Sequence, residues 1–150
     1  MSKWKKFISL EIAIEIKACL YFGMILFFYF VFRVWRGSFT ADIIQMTEMV
    51  LTAYVMNYLQ VYVMHNFDEA EQFGVSVIIQ CIVCSSFYAM ASFFFGWYEG
   101  IKAVSAGFFL YMLLSYLCTF FIFKIRRDLD TSRLNQELED FKNRKKEVKD

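Results

Sequence analysis

The sequence predicts an all-α membrane protein, a four-transmembrane-helix bundle with a cytoplasmic C-terminal helix, from three observations. Hydrophobic residues make up 59% of the 150 residues, and the mean hydropathy is +0.42, whereas ordinary globular proteins are about 45–50% apolar. The charged residues, 21% of the chain, avoid four long windows, and the sequence contains no Pro. A soluble domain of this size has too little interior to bury so much apolar surface.

The first apolar window, Ala18–Phe32, holds 15 residues without a charge. A bilayer core of about 30 Å needs about 20 helical residues at 1.5 Å each, so we expect the first span to cover about residues 12–35. This places Glu15 and Lys17 near one end of the span, where their side chains would extend toward the surface. Because these charges interrupt the apolar run and no small-residue cleavage site follows it, the segment is predicted to be an uncleaved anchor.

The other three windows meet the required length directly. They hold 19, 27 and 21 uncharged residues, in Met49–Phe67, Gln72–Tyr98 and Ala103–Phe123. The predicted spans are about 46–66, 73–97 and 102–123, so residues 1–123 form the transmembrane bundle. Gly96 and Gly100 flank the short third connection and supply a permissive backbone for a tight hairpin. Spans three and four are therefore predicted to be antiparallel neighbours.

The basic residues predict the orientation of the chain. Thirteen of the 16 Lys and Arg residues lie in the N-terminal segment up to Lys17 or in the tail from Lys124 to Lys149. An even number of spans places both termini on one side, and segments rich in Lys and Arg stay in the cytoplasm. We expect both termini and the second connection to be cytoplasmic. Trp4, Trp35 and Trp97 lie at predicted span ends, where indole rings prefer the headgroups of the lipid bilayer.

Residues 124–150 form a charged tail that is predicted to be helical and cytoplasmic. Leu134, Leu138 and Phe141, called here the tail stripe, fall at i, i+4 and i+7 on one helix face, and Val148 continues it. Neither Gly nor Pro separates the tail from span four, so one helix can run through both. Three interpretations stay open: a solvated helix, a docking helix for a partner or a second copy of the chain, or a helix whose basic cluster at 142–146 lies on anionic lipid.

Polar residues inside the predicted spans form stripes that are expected to face inward. Asn57 and Gln60 are one turn apart in span two, and Gln80 lies in span three; these three residues are called the polar face. Amide side chains in lipid hydrogen-bond to one another, so the polar face serves either as helix-to-helix contact or as the lining of a ligand-binding centre. Cys81 and Cys84 are interpreted as small apolar fillers between helices.

Several function classes lack support in the sequence. The net charge of +1 is not the basic excess typical of nucleic-acid-binding proteins, so no direct nucleic-acid binding is expected. The sequence has no nucleophile elbow, phosphate-binding loop or metal-ligand set, and we expect neither an enzyme nor a cofactor. No charged residue lies at mid-membrane, where ion-coupled transporters usually need one.

A series of short features follows in order through the second half of the chain. Acidic residues precede span three, which ends in Phe-Gly-Trp, and span four carries two Tyr before a basic tail: Glu69, Glu71, Phe95-Gly96-Trp97, Tyr111, Tyr116, Leu134-Asn135 and Leu138. This arrangement resembles a family of small bacterial four-helix integral membrane proteins of unknown function. Members of that family are often encoded beside regulators with a LytTR-type DNA-binding domain.

The resemblance implies a membrane-bound inhibitor in a signalling system. Such a protein would hold a cytoplasmic LytTR-type transcription regulator at the bacterial cytoplasmic membrane and restrain it. Two parts of this chain are available to bind that partner, the tail stripe and an acidic loop that consists of Asp68, Glu69 and Glu71.

Two other functions remain open from the sequence. The chain could be a small transporter or permeation subunit that uses the polar face, and this function would suit a homo-oligomer. It could also be an accessory subunit of a larger membrane complex.

Overall fold

The structure, a computed structural model, describes residues 3–147, and this part of the chain is helical without any strand. The all-α prediction is confirmed. The elements are α1 (Lys3–Trp35), α2 (Ile43–Tyr62), a short 3-10 helix (Phe67–Glu69), α3 (Val75–Phe94) and α4 (Lys102–Glu147). Val148, which is predicted to extend the tail stripe, lies outside the described residues.

Local residue chemistry sets two of the connections between helices. The Asp42 side chain caps α2, because its Oδ1 accepts a hydrogen bond from the Ile44 backbone N–H at 2.8 Å. Between α3 and α4, Gly96 and Gly100 have φ angles of 68° and 69°, a left-handed conformation that glycine adopts without steric cost. The predicted tight hairpin is therefore observed, and α3 and α4 run antiparallel.

Three of the four long helices, α1, α3 and α4, are long and apolar enough to cross a membrane. α2 has 20 residues, the length that a bilayer core requires, but polar side chains such as Glu48, Asn57 and Gln60 lower its mean hydropathy. The structure thus supports a membrane protein with three candidate spans, where the charge-free windows predict four.

The helices pack mainly in two pairs, α1 with α2 and α3 with α4, around an aromatic core. Tyr116 of α4 lies at its centre, because its ring centroid is 4.6 Å from that of Tyr21 in α1 and 6.4 Å from that of Tyr88 in α3. All three rings are fully buried. Large apolar side chains such as Phe27 and Met90 are instead exposed on the outer faces, a surface that lipid tails can solvate.

Polar contacts close the end of the bundle that carries the α3–α4 hairpin. An Arg36 guanidinium nitrogen lies 2.6 Å from the Glu99 carboxylate, and the Trp97 indole N–H donates to Glu48 Oε2 at 3.1 Å. Trp4 and Trp35 are exposed, as expected of residues at span ends, but Trp97 is buried. The Trp97 ring, which follows the end of α3, packs inside the protein, where Glu48 accepts the hydrogen bond from its N–H group.

α4 continues from the bundle through the tail without interruption. Its 46 residues span about 69 Å at 1.5 Å per residue, more than twice the thickness of a bilayer core. Residues 128–145 of α4 are all exposed, so this part of the helix projects from the bundle.

Candidate partner-docking site

The acidic loop lies at the end of the bundle from which the α4 tail projects. After α2 the chain turns at His65 and Asn66, whose φ angles of 52° and 58° direct it back toward the helices. The 3-10 helix that follows places Asp68 inside the bundle with 0% exposure, while Glu69 and Glu71 are exposed. Two of the three predicted acidic residues are thus accessible to a partner, and Asp68 is not.

A buried ion pair holds Asp68 in place. Lys17 of α1, which is 2% exposed, donates from Nζ to Asp68 Oδ1 at 2.8 Å and lies 2.8 Å from Glu69 Oε1. It also donates to Asn66 Oδ1, and the Tyr21 hydroxyl donates to Asp68 Oδ2 at 3.2 Å. Lys17 does not extend to the surface as its sequence position suggests, because the buried Asp68 carboxylate and the half-exposed Glu69 carboxylate offset the cost of burying its charge.

Arg127 of α4 holds the same loop from the other side. Its guanidinium donates to the backbone carbonyl of Glu69 at 2.8 Å and to that of Ala70 at 3.1 Å. The loop is therefore fixed to α1 through Lys17 and to α4 through Arg127. A single bidentate contact of this kind gives α4 a defined position where it leaves the bundle.

A groove of about 410 Å³ lies between this loop and α4. Charged side chains of both signs and apolar side chains line it: Glu69, Phe123, Arg126, Arg127, Asp130, Thr131 and Leu134. Glu69 belongs to the acidic loop and Leu134 to the tail stripe. The structure thus brings two separately predicted parts of the chain together in one concave surface.

The tail stripe continues from this groove along the free part of α4. The exposed fractions of Leu134, Leu138 and Phe141 are 65%, 52% and 64%, so nothing among residues 3–147 covers them. Beside the stripe, Arg133 Nε lies 3.3 Å from Glu137 Oε1, an exposed pair that adds little stability. The groove and the tail stripe share Leu134 and therefore form one continuous surface along α4.

The polar face is only partly assembled. Asn57 and Gln60 are fully buried, and Gln60 Oε1 is 3.5 Å from the Tyr116 hydroxyl. Gln80 is partly exposed at the edge of α3, and the neighbouring Cys81 takes the buried position instead. Among the described residues, Asn57 Oδ1 and Gln60 Nε2 have no hydrogen-bond partner.

The described residues contain no group of three His, Cys, Asp or Glu side chains that could hold a metal ion. Cys81 and Cys84 are buried free thiols. The Cys84 Sγ lies 3.4 Å from the Met64 sulfur, a packing contact between soft side chains.

Two residues of this arrangement, Lys17 and Arg127, are not among those that the sequence predicts as site residues. Lys17 carries a signal that could have revealed it, since it is one turn before Tyr21 on the same face of an apolar helix. Arg127 carries no such signal, because it is one of many basic residues in the tail.

Compared with known proteins, the chain matches no protein-family model, no curated protein and no solved structure.

Proposed function

We propose that this chain is a multi-pass regulatory protein of the bacterial cytoplasmic membrane that binds and restrains a LytTR-type transcription regulator. One structural observation carries the proposal: the tail stripe projects from the bundle on a continuous helix, and no described residue covers it. Amphipathic helices use such stripes to dock into apolar grooves of partner proteins. The kind of partner comes from the family resemblance in the second half of the sequence.

The groove at the base of the tail extends this docking surface and adds charge to it. A DNA-binding domain is basic because it must contact phosphates, and the exposed carboxylates of Glu69 and Glu71 complement such a surface. Asp68 is buried with Lys17, so its proposed role is to hold the loop in place. A regulator bound here would be kept at the membrane and away from DNA, which is how binding alone, without catalysis, restrains it.

The proposed topology has α2 as a fourth span. Its polar residues Asn57 and Gln60 face the interior of the bundle, whereas Leu51, Val55 and Leu59 are exposed on its outer face. Lipid would therefore meet an apolar surface on α2, although α2 does not reach the mean hydropathy of the candidate spans within α1, α3 and α4. Four spans would place both termini on one side, and the Lys and Arg residues of both termini favour the cytoplasm.

Co-purification tests the docking role of the tail stripe. The full chain is co-expressed with a LytTR-type regulator, and the regulator retained on the tagged membrane protein is quantified. Replacing Leu134, Leu138 and Phe141 together by Ser should lower retention at least ten-fold, because buried anchors each contribute about 1 kcal/mol or more. The matched control, Gln136→Ser with Asn143→Ser, changes the same helix outside the stripe and should retain the regulator. Undiminished retention by the triple variant would refute this role.

The transport alternative has one observation in its favour, the buried amides of Asn57 and Gln60, each with an atom that lacks a partner among residues 3–147. A continuous polar path, however, would have to pass Met49, Ala53 and Met56. These apolar residues fill the core toward the hairpin end, each at 2% exposure or less. The geometry therefore favours binding over permeation.

A further inference from the structure

A second groove lies between α3 and α4, at the hairpin end of the bundle and far along α4 from the docking site. Its volume is about 560 Å³. The small side chains of Ala89 and Ala106 leave the space open, and the rings of Phe93 and Phe109 form its walls. The groove opens on the outer side of two helices that are each apolar enough to cross a membrane, so its apolar part lies where lipid chains would surround the protein.

A charged residue lies at the end of this groove nearest the hairpin. Lys102, the first residue of α4, lines it and is exposed. The nearby carboxylate of Glu99 is engaged by Arg33 and Arg36, and within residues 3–147 Lys102 forms no ion pair. Ser105, three residues later on the same helix face, also lines the groove, but its hydroxyl oxygen is buried.

We propose that this groove binds one anionic phospholipid. Along α4 the groove presents a cation at Lys102 and then an apolar trough from Ala106 to Phe109. A phospholipid presents the matching groups in the same order, a phosphate and then an acyl chain. From Lys102 to Phe109 the helix rises about 10 Å, one third of a bilayer core, so the trough holds the upper part of the chain.

The Lys102 charge at the hairpin end of the groove favours a lipid with an anionic headgroup. A Lys near a lipid headgroup contributes about 1 kcal/mol toward an anionic lipid, which corresponds to about five-fold in affinity. The trough accepts the acyl chain of any phospholipid. We therefore expect Lys102 to determine which headgroup is preferred, and the trough to determine how tightly a lipid of either kind binds.

Native mass spectrometry of the purified full chain tests the proposal. Delipidated protein is titrated with phosphatidylglycerol or with phosphatidylcholine that has the same acyl chains, and bound lipid is counted. The unaltered chain should bind phosphatidylglycerol about five-fold more tightly. Lys102→Gln should remove this preference, and Ala106→Phe should fill the trough and weaken binding of both lipids by ten-fold or more.

Two matched variants control for general effects. Lys142→Gln removes a cation from the tail, and Leu114→Phe enlarges an exposed position of the same helix; both should bind lipid like the unaltered chain. Equal affinity for the two lipids, or an unchanged preference in Lys102→Gln, would overturn the proposal. A dimer that disappears in Ala106→Phe would overturn it as well, since a second copy of the chain would then occupy the groove. Lys102 is exposed, so its variant stays informative even where Ala106→Phe folds poorly.

Discussion

Lys17→Met is expected to destabilise the protein by about 3–5 kcal/mol, the cost of leaving a buried charge without its partner. The Asp68 carboxylate is 0% exposed and would keep only the hydrogen bond from Tyr21. Asp68→Asn should cost less, because Lys17 would still lie 2.8 Å from the half-exposed Glu69 carboxylate. SDS titration of the purified protein in mixed micelles, followed by tryptophan fluorescence, measures these free energies of unfolding.

Two further variants separate the ion pair from general effects of mutation on α1. Lys6→Met removes an exposed cation from the same helix and should change stability by less than about 0.5 kcal/mol. The double variant Lys17→Met with Asp68→Leu removes both charges and should recover most of the loss, since apolar replacements of buried pairs are often neutral. A double variant no more stable than Lys17→Met alone would show that the pair is not the source of the effect.

Tyr116→Ala is expected to cost about 3 kcal/mol, at the lower end of the range for deleting a buried aromatic ring. The ring contacts residues from α1, α3 and the 3-10 helix, with centroid distances of 4.6 Å to Tyr21, 6.4 Å to Tyr88 and 5.6 Å to Phe67. Its loss would leave a cavity where these elements meet. Within a membrane the cost comes from lost packing and not from transfer to water, because lipid is as apolar as the core.

The same SDS titration measures this effect, with two comparisons. Tyr116→Phe should cost less than about 1 kcal/mol, because the hydroxyl is 3.5 Å from Gln60 Oε1, longer than a strong O–H···O bond. Leu110→Ala truncates a side chain on the lipid-facing side of α4, where it is 57% exposed, and should be nearly neutral. Equal losses for Leu110→Ala and Tyr116→Ala would contradict a core centred on Tyr116.

The helices could be predicted from the sequence because the positions of charged residues, Gly and Pro are local properties of the chain. The charge-free windows locate α1, α3 and α4, the two glycines locate the hairpin, and the lack of Gly or Pro after Gly107 predicts the long α4. The end of α2 is predicted less well from the second window. That window extends to Phe67, but α2 ends at Tyr62, because the chain turns back at His65 and Asn66.

The way helix faces meet could not be predicted, because it depends on contacts between residues far apart in the chain. Lys17 and Asp68 are 51 residues apart, and nothing local to either one indicates the other. Gln80 is a second residue whose position could not be predicted. Its polarity suggests an inward position, yet α3 buries Cys81, Ser85 and Tyr88 instead. In lipid, apolar side chains gain little from facing the core, so polarity alone does not fix the rotation of a helix.

We propose that four spans present the α4 tail to a cytoplasmic partner, and the accessibility of single cysteines in cells tests this claim. In a variant without the four native cysteines, single cysteines are placed by Lys6→Cys before the first span, Ala41→Cys between α1 and α2, and Ser132→Cys in the tail. Intact cells are then treated with a membrane-impermeant maleimide. Four spans predict labelling at position 41 in intact cells, and at positions 6 and 132 only after permeabilisation. Labelling of position 132 in intact cells, or of positions 6 and 132 from opposite sides of the membrane, would contradict the claim.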